Sequence, residues 1–143
     1  MEVRQAHGGD AEVIARLLGE LGYPSAPDQV RERLHALSDA DRVLLAGDGA
    51  GLVALHRIPR LAEGGQFARI TALVVSEERR GQGVARRLLE EAEHAARAWG
   101  CDLLEVASGR RPERDAAHAA YRAAGFADAA DRSVRYRKEL ASS

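Results

Sequence analysis

Leu73-Val74-Val75-Ser76-Glu77-Glu78-Arg79-Arg80-Gly81-Gln82-Gly83-Val84-Ala85-Arg86-Arg87 is the stretch on whose reading the fold depends. Phe67 to Val75 reads as a buried strand, with apolar residues on both faces at its end as a central strand has. Val84 to Trp99 reads as an amphipathic helix. Val84, Leu88, Ala92, Ala95, Ala96 and Trp99 form one stripe, Leu89 widens it, and Arg86, Arg87, Glu90, Glu91, Glu93 and Arg97 lie mostly elsewhere. A strand that empties into an Arg/Gly turn and then a helix start is an anion site in outline. Glycines let the backbone approach a ligand, and the first helical N–H groups and the positive end of the helix dipole face it.

Outward from this turn, the remaining elements follow from periodicity and breakers. Val3 to Ala6 is a short strand candidate, closed by Gly8 and Gly9. Asp10 opens a helix in which Ile14, Leu17, Leu18 and Leu21 recur at helical spacing, with Gly22 as its left-handed stop. After the loop Tyr23 to Pro27, Asp28 starts a second helix with Val30, Leu34 and Leu37 on one face. Arg42 to Ala46 and Leu52 to Ile58 are strands joined through Gly47-Asp48-Gly49-Ala50-Gly51, a hairpin. Gly100 ends the long helix, and in Leu103 to Ala107 Leu104 and Val106 face one way, Leu103 and Glu105 the other. An arginine-rich loop, Ser108 to Glu113, leads to a short helix, Asp115 to Ala124, stopped by Gly125. Phe126 begins a return strand, and Val134 to Leu140 is the last strand. The order β-α-α-β-β-β-α-β-α-β-β describes a mixed α/β architecture around a single sheet, read as one domain over residues 1–143.

The totals exclude several function classes. Lys+Arg number 21 and Asp+Glu 22, so no basic excess points to a nucleic-acid partner. Hydrophobic residues at 45% and charged residues at 30% are ordinary for a soluble globular chain. No apolar run approaches the ~20 residues that span a membrane, and the N-terminus lacks the apolar stretch of a signal peptide. The single cysteine, Cys101, cannot close an internal disulfide, so a cytoplasmic setting is expected. Cys101 itself reads as a small, partly buried hydrophobe. No His/Cys/Asp cluster has metal-ligand spacing. A nucleotide P-loop is missing, and Gly81-x-Gly83-x-x-Arg86 lacks the third glycine of a dinucleotide fingerprint.

Two motifs together resemble the GNAT family of N-acetyltransferases. Its Gln/Arg-x-x-Gly-x-Gly/Ala acyl-CoA loop is met by Arg80-Gly81-Gln82-Gly83-Val84-Ala85. Its alanine-rich helix ending in Tyr-x-x-x-Gly-Phe is met by Ala117 to Phe126, with Tyr121, Gly125 and Phe126 in register. The resemblance covers essentially the whole chain and implies the GNAT acyl-CoA acyltransferase fold, with a central sheet that splays after Val75. It implies acetyl-CoA as cosubstrate, with the amides of Gly81 to Arg86 around the pyrophosphate. The exposed backbone of Leu73, Val74 and Val75 would pair with the pantetheine arm, and Arg79, Arg86 or Arg87 would reach the 3′-phosphate. Arg114 stands where many members carry an asparagine that contacts the pantetheine arm or phosphate, and it is counted as a cofactor contact. The variant Arg114-x-x-Ala117-His118-x-x-Tyr121 resembles a branch of small bacterial members.

For the reaction the resemblance assigns Tyr121 the general acid, a phenol with a reference pKa of about 10 that stays protonated until the thiolate leaves. The glutamate that many members place in the central strand is absent, because Arg69, Thr71 and Leu73 occupy that region. Glu105, at a position used as base in some relatives that acetylate protein N-termini, is the candidate base, with a water relay and a structural ion pair as competing readings. His118 reads as a packed histidine. The partners implied are acetyl-CoA and a primary amine of a small molecule or peptide, for which Tyr23, Asp28 and Glu63 are candidate lining residues, with an ordinary loop position as the competing reading of each. Homodimerisation through the late strands or helices is common among such proteins. A non-catalytic acyl-CoA-binding module is the alternative; it would keep the turn and need no Tyr121.

Overall fold

A computed structural model describes residues 1–107, 115–129 and 135–141 of the chain. The first strand, β1 (Val3–Gln5), is followed by a 3-10 turn (Gly8–Asp10), α1 (Ala11–Leu21) and α2 (Pro27–His35). Then come β2 (Asp41–Ala46), β3 (Gly51–Pro59), β4 (Gln66–Val75), a second 3-10 turn (Glu77–Arg79) and α3 (Val84–Ala98). β5 (Leu104–Val106) and α4 (Asp115–Ala123) close the series. The strands form a sheet in the order β1-β2-β3-β4-β5. The first four run antiparallel to their neighbours, while β5 runs parallel to β4, as it must when a helix makes the crossover.

Alternation along the strands divides the core between the two faces. On one face Leu45, Leu52 and Val74 pack under Ala11, Ile14, Ala15 and Leu17 of α1 and Val30 of α2. On the other, Val53, Leu55, Ile70 and Leu73 pack against Val84, Leu88, Leu89 and Ala92 of α3 and Tyr121 of α4. Leu88 and Leu89 are essentially inaccessible to solvent, and each contributes roughly 1.5–3 kcal/mol of apolar burial. Gly51 lets α3 sit close on β3: a Cβ there would lie 2.7 Å from the Val74 carbonyl and 3.0 Å from Leu88 Cδ1.

Helix ends follow the local chemistry. Gly22 takes φ 104°, with its own N–H donating to Gly19 O and the Tyr23 N–H to Leu18 O at 2.8 Å. Pro27 occupies the first turn of α2, and Gln29 Oε1 accepts from the Ala26 N–H. α2 ends at His35, so Leu37 lies beyond the helix and is 42% exposed rather than on its buried face.

β4 is interrupted. Ala72 pairs with Ala54 but Ile70 pairs with Leu55, which leaves Thr71 as an extra residue, a β-bulge. Among the described residues the β4/β5 ladder has three rungs, Ala68–Leu104, Arg69–Glu105 and Ile70–Val106. The sheet therefore parts at Ile70 and Val106, not after Val75 as expected, and β5 flanks none of Thr71–Val75. The two expected late strands are also corrected where the residues are described, with 130–134 lying outside them. Residues 126–129 and 135–141 carry no strand. Tyr136 and Leu140 are 90% and 85% exposed amid Arg135, Arg137, Lys138 and Glu139, so no apolar face holds the segment to β5. The Ser108–Glu113 loop and Arg114 lie outside the described residues.

Candidate active site

The glycine turn closes β4 onto α3. Gly81 and Gly83 have φ 77° and 81°, a left-handed backbone that side chains with a Cβ rarely adopt, and a Cβ at either would point into open space. Gly83 is the N-cap of α3, and no side chain caps it. Its carbonyl accepts from Arg87 N at 3.1 Å, so the intrahelical ladder begins there. The N–H groups of Val84, Ala85 and Arg86 occupy the first turn, where a helix leaves its donors without intrahelical partners.

The side chains around this turn are ordered among themselves. Arg79 Nε donates to Gln82 Oε1 at 3.1 Å, and Gln82 Nε2 donates back to the Glu78 carbonyl. Arg86 pairs with Glu90 at 3.3 Å, and Arg87 pairs with Glu91. The Arg87 guanidinium holds the Glu91 carboxyl below its usual range. Both helix arginines thus lie along α3 with partners one turn on, whereas Arg80 is exposed in the turn.

Glu105 is engaged by Arg69. Arg69 Nε donates to Glu105 Oε1 at 2.7 Å and Nη2 reaches the same oxygen, across the second of the three β4/β5 rungs. Arg69 also lies over the Phe67 ring at 5.5 Å, with Arg60 over it at 5.0 Å. The pair stands one rung before the sheet parts.

Tyr121 approaches the same gap from the opposite face. It is buried, belongs to one packed cluster with Leu73, Val75, Val84 and Val106, and lies 5.9 Å from the Phe126 ring and 6.4 Å from His118. Gly125, at φ 93°, lets the chain turn so that Phe126 N donates to Tyr121 O at 3.0 Å. Leu104 and Val106 share Tyr121's side of the sheet, so Glu105 lies on the other.

Leu73, Val75, Val84 and Tyr121 thus share one packed cluster, and Glu105 lies on the other side of the sheet in the last-but-one rung before β4 and β5 part. Tyr23, Asp28 and Glu63, the candidate acceptor-side residues, are all at the surface. Tyr23 is 67% exposed, Asp28 is paired with Arg31 at 2.6 Å, and Glu63 lies 4.0 Å from Arg60. Cys101 is half-buried, and burial pushes its thiol pKa up. Among the described residues no cluster of His, Cys, Asp or Glu could hold a metal ion, and no helix is long and apolar enough to cross a membrane.

The bulge at Thr71 and the Arg69 partner of Glu105 escaped the sequence reading. The bulge had a signal: Ala68, Ile70, Leu73 and Val75 share a face, so the alternation slips by one residue between Ile70 and Leu73. An ion pair is one of the readings the sequence offers for Glu105, but nothing there names Arg69, since the pairing depends on parallel register between segments 36 residues apart.

Comparison with known proteins agrees with this geometry. The model of the acetyltransferase (GNAT) family matches residues 12–126. An aminoglycoside N(6′)-acetyltransferase type 1 from Stenotrophomonas maltophilia is 34% identical over 147 residues, covering 96% of this chain and 93% of that protein. Two solved structures share the fold. A GNAT family acetyltransferase from Staphylococcus aureus has a TM-score of 0.78 at 22% identity, covering 97% of this chain and 98% of its own. A ribosomal-protein-alanine N-acetyltransferase from Brucella melitensis has a TM-score of 0.76 at 24% identity, covering 98% and 100%. With the family motifs of the glycine turn and the tyrosine helix both in register, the chain belongs to the GNAT acetyltransferases, enzymes that move an acetyl group from acetyl-CoA to an amine.

Proposed function

We propose that acetyl-CoA is held along the open edge of Leu73–Val75 and in the turn Arg80–Arg86, and that the acceptor is a primary amine of an aminoglycoside-type sugar. The observation that supports the donor half is the parting of β4 from β5 directly upstream of an uncapped, glycine-led helix N-terminus. Such an end attracts a pyrophosphate through its amides and its dipole. Gly81 and Gly83 fit this group, because nothing stands where their Cβ atoms would be. The acceptor class rests on the Stenotrophomonas relative, which spans nearly the whole chain.

When bound, the cosubstrate supplies a thioester carbonyl for the amine to attack. The chain's own part is positioning and proton movement. Thr71–Val75 presents backbone N–H and C=O groups that β5 does not take. Tyr121 holds a phenolic proton for the departing sulfur. Glu105, bonded by Arg69 through Oε1, is the carboxylate to which we assign acceptance of a proton from the amine. The localisation consistent with this reading is cytoplasmic, where acetyl-CoA is made and used.

The test is free-thiol release from acetyl-CoA with a panel of aminoglycosides, simple amines and a peptide with a free N-terminus, with product mass identifying the acetylated nitrogen. Turnover confined to the aminoglycosides supports the proposal. Turnover confined to the peptide replaces the acceptor class, and tight acetyl-CoA binding without turnover on any amine favours the non-catalytic module.

A further inference from the structure

Arg16 of α1 reaches out of its helix to two other elements at once. Its Nη2 donates to the Gly49 carbonyl in the β2–β3 hairpin turn at 3.0 Å, and its Nη1 donates to Ser76 Oγ, just after β4, at 3.3 Å. Glu20, one helical turn on, lies 3.7 Å from Arg16 Nη1 and accepts the Glu77 N–H at 3.2 Å. Hairpin turn, strand end and helix therefore meet in one polar knot.

The hairpin is shaped to admit this arginine. Gly49 has φ 109°, and a Cβ there would stand 2.7 Å from Arg16 Nη2 and 2.8 Å from Val13 Cγ1. Ser76 is 3% exposed, and its N–H donates to the Ala50 carbonyl at 2.8 Å. A buried hydroxyl requires a partner, and Arg16 is one.

From Ser76 the contacts run without a break to the glycine turn. Arg79 N donates to Ser76 O, closing the Glu77–Arg79 turn, and Arg79 then reaches Gln82 between the two glycines. Most of this segment past Ser76 is exposed and has no core of its own. An anion site made of backbone amides binds well only if those amides are already aligned, since ordering on binding subtracts from affinity.

We infer that Arg16, assisted by Glu20, is a positioning residue of the acetyl-CoA turn, bracing it from α1 without touching the ligand. The inference rests on the donor site proposed above. Arg16→Met keeps the aliphatic stem and removes both donated hydrogen bonds. Its expected result is a rise of about 10-fold in the Kd and KM for acetyl-CoA, with kcat and the acceptor KM within about 2-fold. Amide hydrogen exchange over Gly81–Arg86 becomes faster. Arg16→Lys recovers part of the affinity, and Ser76→Ala, which removes only the hydroxyl, moves Kd in the same direction if Arg16→Met fails to fold.

Val30→Ala, in the α2 core, is the control for general destabilisation and is expected to leave Kd unchanged. A folded Arg16→Met with wild-type Kd and exchange overturns the inference, as does an equal rise in Val30→Ala. Gly83→Glu separates the two levels of argument. If it too binds normally, the donor site is elsewhere and the brace falls with it; if it loses binding while Arg16→Met does not, only the brace falls.

Discussion

Tyr121 and Glu105 lie on opposite faces of the sheet near the point where β4 and β5 part, and the proton-transfer roles proposed for them are separable by substitution. Tyr121→Phe removes one oxygen from a buried ring whose packing with Val75, Val106 and Phe126 is retained. It is expected to lower kcat about 100-fold while the acetyl-CoA Kd stays put; unchanged turnover assigns the proton to water. Glu105→Gln discriminates base from ion-pair partner. A catalytic carboxylate predicts loss of kcat with the acetyl-CoA Kd unchanged. A purely structural partner predicts a small stability change with kcat intact. Asp10 carries no such ambiguity. It is buried, accepts from both terminal nitrogens of Arg4 at 2.9 and 2.8 Å and from the His7 N–H at 2.9 Å, and these hold its carboxyl down at about 2 from an ordinary 3.8. A depressed carboxylate stabilises the fold above its unfolded pKa, because the unfolded chain binds the extra proton. Stability on the order of 2 kcal/mol is therefore lost as pH falls from about 4 towards 2. Urea melts across that range show this slope in the wild-type chain and a flatter one in Arg4→Met.

Among the elements, α3 joins stability to the proposed acetyl-CoA site. Its buried stripe holds it on β3, and its N-terminus opens directly from the glycine turn. Gly83→Glu places a negative side chain at a φ 81° position, in the path proposed for the pyrophosphate. Calorimetry is expected to show no acetyl-CoA binding in the folded variant, and retained affinity contradicts the site. The stripe, the start at Val84 and the turn glycines were all legible from sequence, because each is a local pattern of spacing or conformation. The strand expected over Val134 to Leu140 rests on its polar alternation. With Tyr136 and Leu140 turned to solvent, the tertiary structure gives that segment no buried face. A strand needs a neighbour, and sequence alternation does not supply one.

For the whole molecule, the site is the place where the sheet fails to stay closed. Thr71 bulges β4, β5 keeps three rungs, and the strands diverge beside the turn. A ligand bound across β4, α3 and α4 ties those elements together, so acetyl-CoA at about 100 times its Kd is expected to add ~2.7 kcal/mol and raise Tm by roughly 8 °C. Gly83→Glu abolishes that shift, as read by differential scanning calorimetry.

The sequence by itself determined the mixed sheet, the strand–glycine turn–helix unit and, through two motifs in register, the acetyltransferase family. Each depends on spacings within a few dozen residues that periodicity and glycine conformation make readable. Tertiary structure decided where the sheet opens, that Glu105 is paired with Arg69, and that Arg16 ties α1 to Gly49 and Ser76. Those features join residues 33, 36 and 60 positions apart. Strand register and side-chain reach in the folded chain bring such groups together, and neither is written in the local pattern of the residues involved.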